Sequence, residues 1–370
     1  MERKKIHVLS DRFIKFDTGK ITVGGIQTYI KDLSEVASSL GFEVIVYDFD
    51  PEERRIDLGC CTVVGLNFPD SKKGCDMMAH HVYENMSSKD ELVIYDSDDR
   101  ISISPIFNNS IALQHGITWD MPNTKKRSLI RTLLGCALRD FLILRRLTKV
   151  SMLVCVDCNF VNWYRTIIRN NRVNLKVIPN YTRIAPVTQK PNTVVNIIFA
   201  RRLRKYRGTE VFTLAIKRIL NDYTNVKLFI YGRGPEEEWM HKQLDSYNNV
   251  SFDNYAVGES LSVHADKHIA VIPTVGSEGT SLSLLEAMSS QCAVVCSDVG
   301  GMTNIILEGF NGKMVPASDV EALYKAIKYL IDNPEERDRM ANNGYETVKQ
   351  AFSFERWKKE WETILKENVK

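Results

Sequence analysis

The sequence predicts an α/β protein made of two doubly wound parallel-sheet domains, and three observations carry that expectation. Its 370 residues exceed what one hydrophobic core usually organises, which favours two domains of about 150 to 200 residues each. Short apolar segments of strand length alternate with helix-period stretches almost throughout, the signature of βαβ units. Between two such series, Ile184-Ala-Pro186-Val-Thr-Gln-Lys-Pro191-Asn-Thr holds two prolines and no apolar periodicity, and reads as a linker. The expected domains are 1–185 and 186–370.

Strand candidates in the first half are residues 6–9, 44–47, 62–66, 91–95, 110–113 and 152–156. Those in the second half are 194–199, 226–231, 269–273 and 293–296. A helix is expected over 26–40. The chain ends in two helical patterns, the second (about 353–368) anchored by Trp357 and Trp361. There is no internal repeat or low-complexity segment.

An apolar content of 44% and a charged content of 26% are ordinary for a globular protein. No run of 18 uncharged apolar residues appears, so no membrane-spanning helix is expected. Residues 1–9 pass from charge straight into a strand-like segment without the apolar core of a secretory signal, which leads to an expected place in the cytoplasm. Of the eight cysteines, Cys155 and Cys158 form a lone CxxC without a second pair or a histidine cluster, which does not make a zinc site.

The formal charge of +3 is unevenly spread. Residues 1–185 carry 26 Lys/Arg against 22 Asp/Glu, residues 186–370 carry 23 against 24, and 123–149 alone holds eight basic residues against one acidic. The positive charge is one local patch, which points to a surface partner and away from nucleic acid. Leucines, Ile130 and Phe141 are interleaved with those basic residues. Two readings fit: a helix lying in an anionic membrane surface, or a core helix with a basic solvated face.

The most informative stretch is Pro273-Thr-Val-Gly-Ser-Glu278-Gly279-Thr280-Ser281-Leu-Ser-Leu-Leu-Glu286. A strand ends near Pro273, a loop of small residues follows, and an apolar helix opens near Ser281 with free N–H groups in its first turn. That is an anion site. A diphosphate there leaves Glu278 in the loop and Glu286 inside the helix, so that one carboxylate can accept from a sugar's hydroxyls and the other from a ribose. Ser283-x-x-Glu286 also fits a capping box, and Glu278 also suits the positive end of a helix.

These residues resemble the glycosyltransferase family 4 pattern, in which a Glu, seven residues and a second Glu follow a strand at the donor site. The surroundings agree. Phe199-Ala-Arg-Arg202-Leu203-Arg-Lys-Tyr-Arg207-Gly208 is similar to the family's Gly-Arg-Leu-x-x-x-Lys-Gly loop, and Tyr231-Gly232-Arg233-Gly234-Pro235 to its second Gly-rich turn. Gly300-Gly301 and Asn311-Gly312 follow in family order. The resemblance covers the second domain and implies the GT-B fold of two Rossmann-like domains with a central cleft, the last helix crossing back to the first domain. It assigns the donor phosphates to Arg202 and Arg207 and the sugar to Glu278. Gly232, Gly234, Gly279, Thr280, Ser281 and Glu286 become the other donor-binding residues. Two positions depart from the pattern: Arg201 stands for its first Gly, and Arg207 for its Lys, which keeps the charge but offers a planar fork.

In the first half, Gly24-Gly25 opens the helix after the first strand, where the resemblance implies an approach to the donor phosphates. Gln114-His115-Gly116 ends a strand, followed by Trp119 and Asp120. His115 reads either as a core histidine or as the histidine that similar transferases place beside the sugar. Asp96-Ser-Asp98-Asp99 has the form of a metal-binding Asp-x-Asp but lies far from the donor motif, and reads as acceptor-side or structural. No metal or other cofactor is expected, because arginines and a helix N-terminus can neutralise a diphosphate leaving group. The resemblance therefore implies a retaining glycosyltransferase acting on a glycan or lipid-linked acceptor in bacterial surface polysaccharide assembly. The rival readings are a hydrolysing epimerase of the same fold and a non-catalytic nucleotide-sugar-binding or scaffold subunit.

Overall fold

The computed structural model describes residues 3–369 other than 23, 118–127, 169–172, 257 and 277. Trp119 and Asp120, and the first residues of the basic stretch (123–127), lie outside the described residues. The chain divides into two compact units: Met1–His115, Thr124–Ile178 and Lys358–Lys370 form one, Gly116–Asn123 and Pro179–Trp357 the other.

The first unit contains β1 (Lys5–Leu9), the hairpin β2 (Ile14–Lys15) and β3 (Lys20–Ile21), β4 (Glu43–Phe49), β5 (Arg54–Asp57), β6 (Thr62–Leu66), β7 (Leu92–Tyr95), β8 (Ser110–Gln114), β9 (Met152–Cys155) and β10 (Asn174–Val177). Eight of these make a sheet in the order β10-β9-β8-β7-β1-β4-β6-β5, parallel except for β5 at one edge. Its central strands are buried nearly end to end, as expected where helices cover both faces. The helices are α1 (Gly25–Ser39), α2 (Lys72–Asn85), α3 (Leu129–Leu147) and α4 (Cys158–Ile167). Ser71 and Asp157 start α2 and α4 by accepting backbone N–H groups of their first turns.

Helix α3 is inverted with respect to an ordinary surface helix. Of its residues only Leu147 is buried, while Ile130 is 71% exposed, Leu134 66% and Phe141 61%. Leu133, Leu138 and Leu142 are exposed as well. The expectation of a core helix with a solvated basic face is thereby overturned: most of its leucines are solvated together with Arg131 and Arg145, and the half-buried positions are mixed, Ile143 and Leu144 beside Arg139, Asp140 and Arg146.

The second unit holds β11 (Val195–Ala200), β12 (Val226–Tyr231), β13 (Val250–Asp253), β14 (Ile269–Ile272), β15 (Ala293–Ser297) and β16 (Lys313–Val315), all parallel, in the order β13-β12-β11-β14-β15-β16. Around them lie α5 (Thr209–Asp222), α6 (Glu237–Leu244), α7 (Ser260–His264), α8 (Leu282–Ser289), α9 (Val320–Asp332), α10 (Pro334–Ala351) and the first four residues of α11 (Phe354–Asn368). One core packs α5 and α9 on β11, β12 and β14, with Phe199, Phe212 and Ile216 fully buried. A second packs α8 on the other face through Leu284, Leu285 and Met288.

The change of unit comes at Ile178–Pro179, ahead of the proline-containing stretch that composition marks as the linker. Residues 180–185 are held by the second unit. Tyr181 packs on Trp357 with ring centroids 4.2 Å apart, and the Ala185 N–H donates to Ser289 Oγ at 2.9 Å. At the far end α11 changes unit along its own length. From Lys358 onward it belongs to the first unit, where the buried Trp361 donates its indole N–H to Tyr29 Oη at 2.8 Å.

Candidate functional site

In the second sheet the strand order reverses between β11 and β14, which lie side by side. In open α/β sheets ligands bind outside the carboxyl ends of the strands at such a switch point. The two segments leaving those ends are residues 201–208 and 273–281, the two loops that the sequence singles out.

The loops are joined by backbone. The Val275 N–H donates to the Tyr206 carbonyl at 2.9 Å. Gly208, at φ 82°, ends a single 3-10 turn over Lys205–Arg207, and a β-carbon there would overlap the Pro273 carbonyl. Gly301 donates to the Glu278 carbonyl at 2.8 Å, and Asn180 Nδ2 to the Thr280 carbonyl at 2.8 Å, so the loop before α8 is fixed from two sides. At Gly232 and Gly234 a side chain would collide with the carbonyls of Arg201 and Leu203. The space at these two glycines is taken by the 201–203 backbone.

Glu278 is the hub. Its Oε2 accepts from Arg201 Nη2 at 3.0 Å, from Thr274 Oγ1 at 3.1 Å and from Arg207 Nη1. Thr274 Oγ1 in turn accepts from Arg201 Nη1 at 2.6 Å. Burial pushes the Glu278 carboxyl up, but the two guanidiniums outweigh it and hold the group below the usual carboxylate range. Burial draws Arg201 down to about 10 despite its partner, which leaves it charged at neutral pH.

Ser281 is the N-cap position of α8, but its hydroxyl does not cap the helix: its Oγ is buried and has no hydrogen-bond partner among the described residues. The first-turn N–H groups of a helix have no partner within it, so this end combines backbone donors with an unused hydroxyl. Further along α8, Glu286 has its carboxyl raised to about 7, first by desolvation and then against a hydrogen bond with Ser260. Buried carboxyls with shifted titration often mark ligand sites.

The site thus contains Glu278, Arg207, Gly279, Thr280, Ser281 and Glu286 of the sequence-derived set. Arg202 is exposed and outside the Glu278 network, whereas Arg201, which the sequence shows only as a departure from a glycine, is 6% exposed and inside it. The signal for Arg201 was its place directly after a buried strand, where a charged side chain needs a partner.

The remaining residues belong to the first unit. Gly24 and Gly25 form the N-terminus of α1. His115 follows β8, with Nε2 3.0 Å from the Asp96 carbonyl and its ring edge-on to Tyr29. Burial draws its imidazole down to about 4, so it is neutral, with Nε2–H donating. Asp96 accepts from Ser10 Oγ at 2.6 Å and is raised to about 7 by burial. No group of three or more potential metal ligands occurs among the described residues.

At the switch point of the second sheet, two arginines meet one carboxylate ahead of the start of α8. Residues 180–347 match the family model described as glycosyl transferases group 1. A phosphatidyl-myo-inositol mannosyltransferase of Mycobacterium leprae is 27% identical over 183 residues, 49% of this chain and 48% of that protein. A lipopolysaccharide core biosynthesis mannosyltransferase, LpcC, of Rhizobium leguminosarum is 29% identical over 166 residues, 42% of this chain and 46% of that one. The chain spans about half the length of these curated relatives. In three dimensions it is similar to sucrose-phosphate synthase of Thermosynechococcus elongatus, with a TM-score of 0.79, 17% identity and 99% of both chains covered. It is also similar to Anabaena Alr3699/HepE in complex with UDP, with a TM-score of 0.70, 16% identity, and 98% and 100% covered. The fold is GT-B.

Proposed function

We propose that the protein is a retaining glycosyltransferase that moves a sugar from a nucleotide-diphosphate sugar to a glycan or lipid-linked acceptor in bacterial surface polysaccharide assembly. The observation that carries this reading is the pairing of the 201–208 and 273–281 loops at the switch point of the second sheet. They bring a helix N-terminus, Arg201, Arg207 and the Glu278 carboxylate together. The diphosphate lies on the first turn of α8 beside Thr280 and Ser281, its charge met by Arg207 and Arg202 without a divalent ion. Glu278 holds the transferred sugar and Glu286 the ribose. The resemblance assigns His115 to the transferred sugar and Gly24 and Gly25 to the donor phosphates.

Retention fits this charge arrangement. A double displacement needs a free carboxylate nucleophile. Glu278 has one oxygen committed to three donors, so front-face transfer assisted by the departing phosphate is the better match. The lipid-linked acceptor is supported by α3, whose exposed apolar face carries Arg131 and Arg145 and suits an anionic membrane surface at the cytoplasmic side. No helix among the described residues is long and apolar enough to cross a membrane.

The test is release of nucleoside diphosphate from UDP-, GDP-, ADP- and dTDP-sugars, with and without a lipid-linked acceptor and with and without magnesium. Acceptor-dependent, magnesium-independent release supports the reading. Release that ignores acceptor points to a hydrolysing epimerase, and binding without turnover to a non-catalytic subunit.

A further inference from the structure

Arg201 is the one buried charged residue among the described residues of the two loops, and the donor chemistry above gives it no task. It is not placed as a phosphate ligand. Both terminal nitrogens are engaged, Nη1 by Thr274 Oγ1 at 2.6 Å and Nη2 by Glu278 Oε2 at 3.0 Å, and Nε is buried without a partner among the described residues. Its side chain is 3% exposed, against 25% for Arg207, which shares the same carboxylate oxygen. A ligand arriving from solvent therefore recruits Arg207 first. When it does, Arg201 and Thr274 stay on Glu278, because they also hydrogen-bond each other and close a ring of three side chains.

We propose that Arg201 is a positioning residue that fixes the Glu278 carboxylate against the donor sugar, and so sets which hydroxyl pattern is accepted, without itself binding the diphosphate. The two arginines thus divide the work. Arg207 moves between Glu278 and the phosphate charge, and Arg201 keeps its bond to Oε2 and so fixes the direction of the carboxylate's other oxygen. The proposal rests on the reading of this site as a donor site. It makes sugar selectivity a property of a residue that never touches the sugar.

The experiment uses the full-length protein. Calorimetry first finds which of UDP, GDP, ADP and dTDP binds the wild type; initial rates are then measured with the gluco, galacto and manno sugars of that nucleotide. Arg201→Gln should bind the diphosphate within about twofold of wild type, yet lose about tenfold or more in kcat/KM, as expected when a charge-assisted hydrogen bond that orients a reacting group is removed. Its preference among the three epimers should shrink. Arg201→Lys should restore part of both, and serves as the informative variant if the glutamine one does not fold. Arg207→Gln should lose diphosphate binding instead. Loss of diphosphate binding in Arg201→Gln equal to that in Arg207→Gln would make Arg201 a phosphate ligand and overturn the proposal. Wild-type rates and selectivity in Arg201→Gln would overturn it too. A wild type that binds none of the four diphosphates removes the donor-site reading, and the proposal with it.

Discussion

Arg201 and Glu278, far apart in the chain, meet at 3.0 Å at the point where the second sheet reverses its strand order. Neither loop makes this site alone. The carboxylate comes from the segment after β14 and both guanidiniums from the segment after β11, so the arrangement exists only in the folded unit.

Removing the carboxylate leaves two guanidiniums without their counter-charge. Glu278→Ala should therefore destabilise the protein by about 3 kcal/mol, the lower end of what a broken buried ion pair costs. Urea unfolding measures this, and added inorganic phosphate, which can replace the missing charge, should recover part of it. An unchanged midpoint would mean that the network is not intact in solution.

The unpartnered Ser281 hydroxyl separates stability from binding. Since Oγ makes no hydrogen bond among the described residues, Ser281→Ala should leave unfolding stability within about 0.5 kcal/mol of wild type. Diphosphate affinity should fall about fivefold, the size of one net hydrogen bond. A large loss of stability with unchanged affinity would assign the hydroxyl to the fold.

Glu286 gives a pH dependence of definite sign. Its folded-state value is raised from 4.5 to about 7 by desolvation, so the folded protein holds the proton more tightly than the unfolded chain. Stability from this group is fully present below 4.5 and is lost as pH rises toward 7. Between pH 4.5 and 7.5 the wild type should lose about 1–3 kcal/mol more than Glu286→Gln does. Parallel curves for the two proteins in denaturant melts would show that the carboxyl is solvated. Asp48, Asp96 and Asp98, also raised by burial, contribute in the same direction to both proteins and cancel in the difference.

Helix α3 should bind vesicles of anionic lipid at low salt, more weakly as salt rises, and hardly bind neutral ones. Leu134→Glu combined with Phe141→Glu should abolish sedimentation with the vesicles while leaving stability nearly unchanged, since both side chains are mostly exposed. Binding that survives the double substitution would exclude this face as the membrane contact.

How much of this is legible in the sequence depends on how deeply an element is buried. Continuous apolar runs pick out the interior strands of both sheets, from β1 to β15. They miss the edges: β5 and β10 of the first sheet, β13 and β16 of the second. Strands such as Arg54–Asp57 and Val250–Asp253 alternate between half-buried and exposed positions, so one face only is apolar and no run appears. The hairpin β2–β3 is likewise silent; the segment that enters it is held by Asp48, which accepts the N–H groups of Arg12, Phe13 and Ile14. At the site, Glu278, Glu286 and Arg207 are legible from spacing and resemblance. Arg201 and the exposure of Arg202 are not, because which of two adjacent arginines turns inward is decided by Thr274 and Glu278, contacts distant in sequence. The inversion of α3 is also a tertiary fact: its pattern of leucines is that of a buried helix, and only the structure leaves that face uncovered.

The central claim is that the switch point of the second sheet is a nucleotide-sugar donor site. Calorimetric titration of the wild type and Arg207→Ala with UDP, GDP, ADP and dTDP, without metal, tests it most directly. The account predicts that one diphosphate binds the wild type and that Arg207→Ala loses that binding; absence of binding to all four, or equal binding by both proteins, would contradict it.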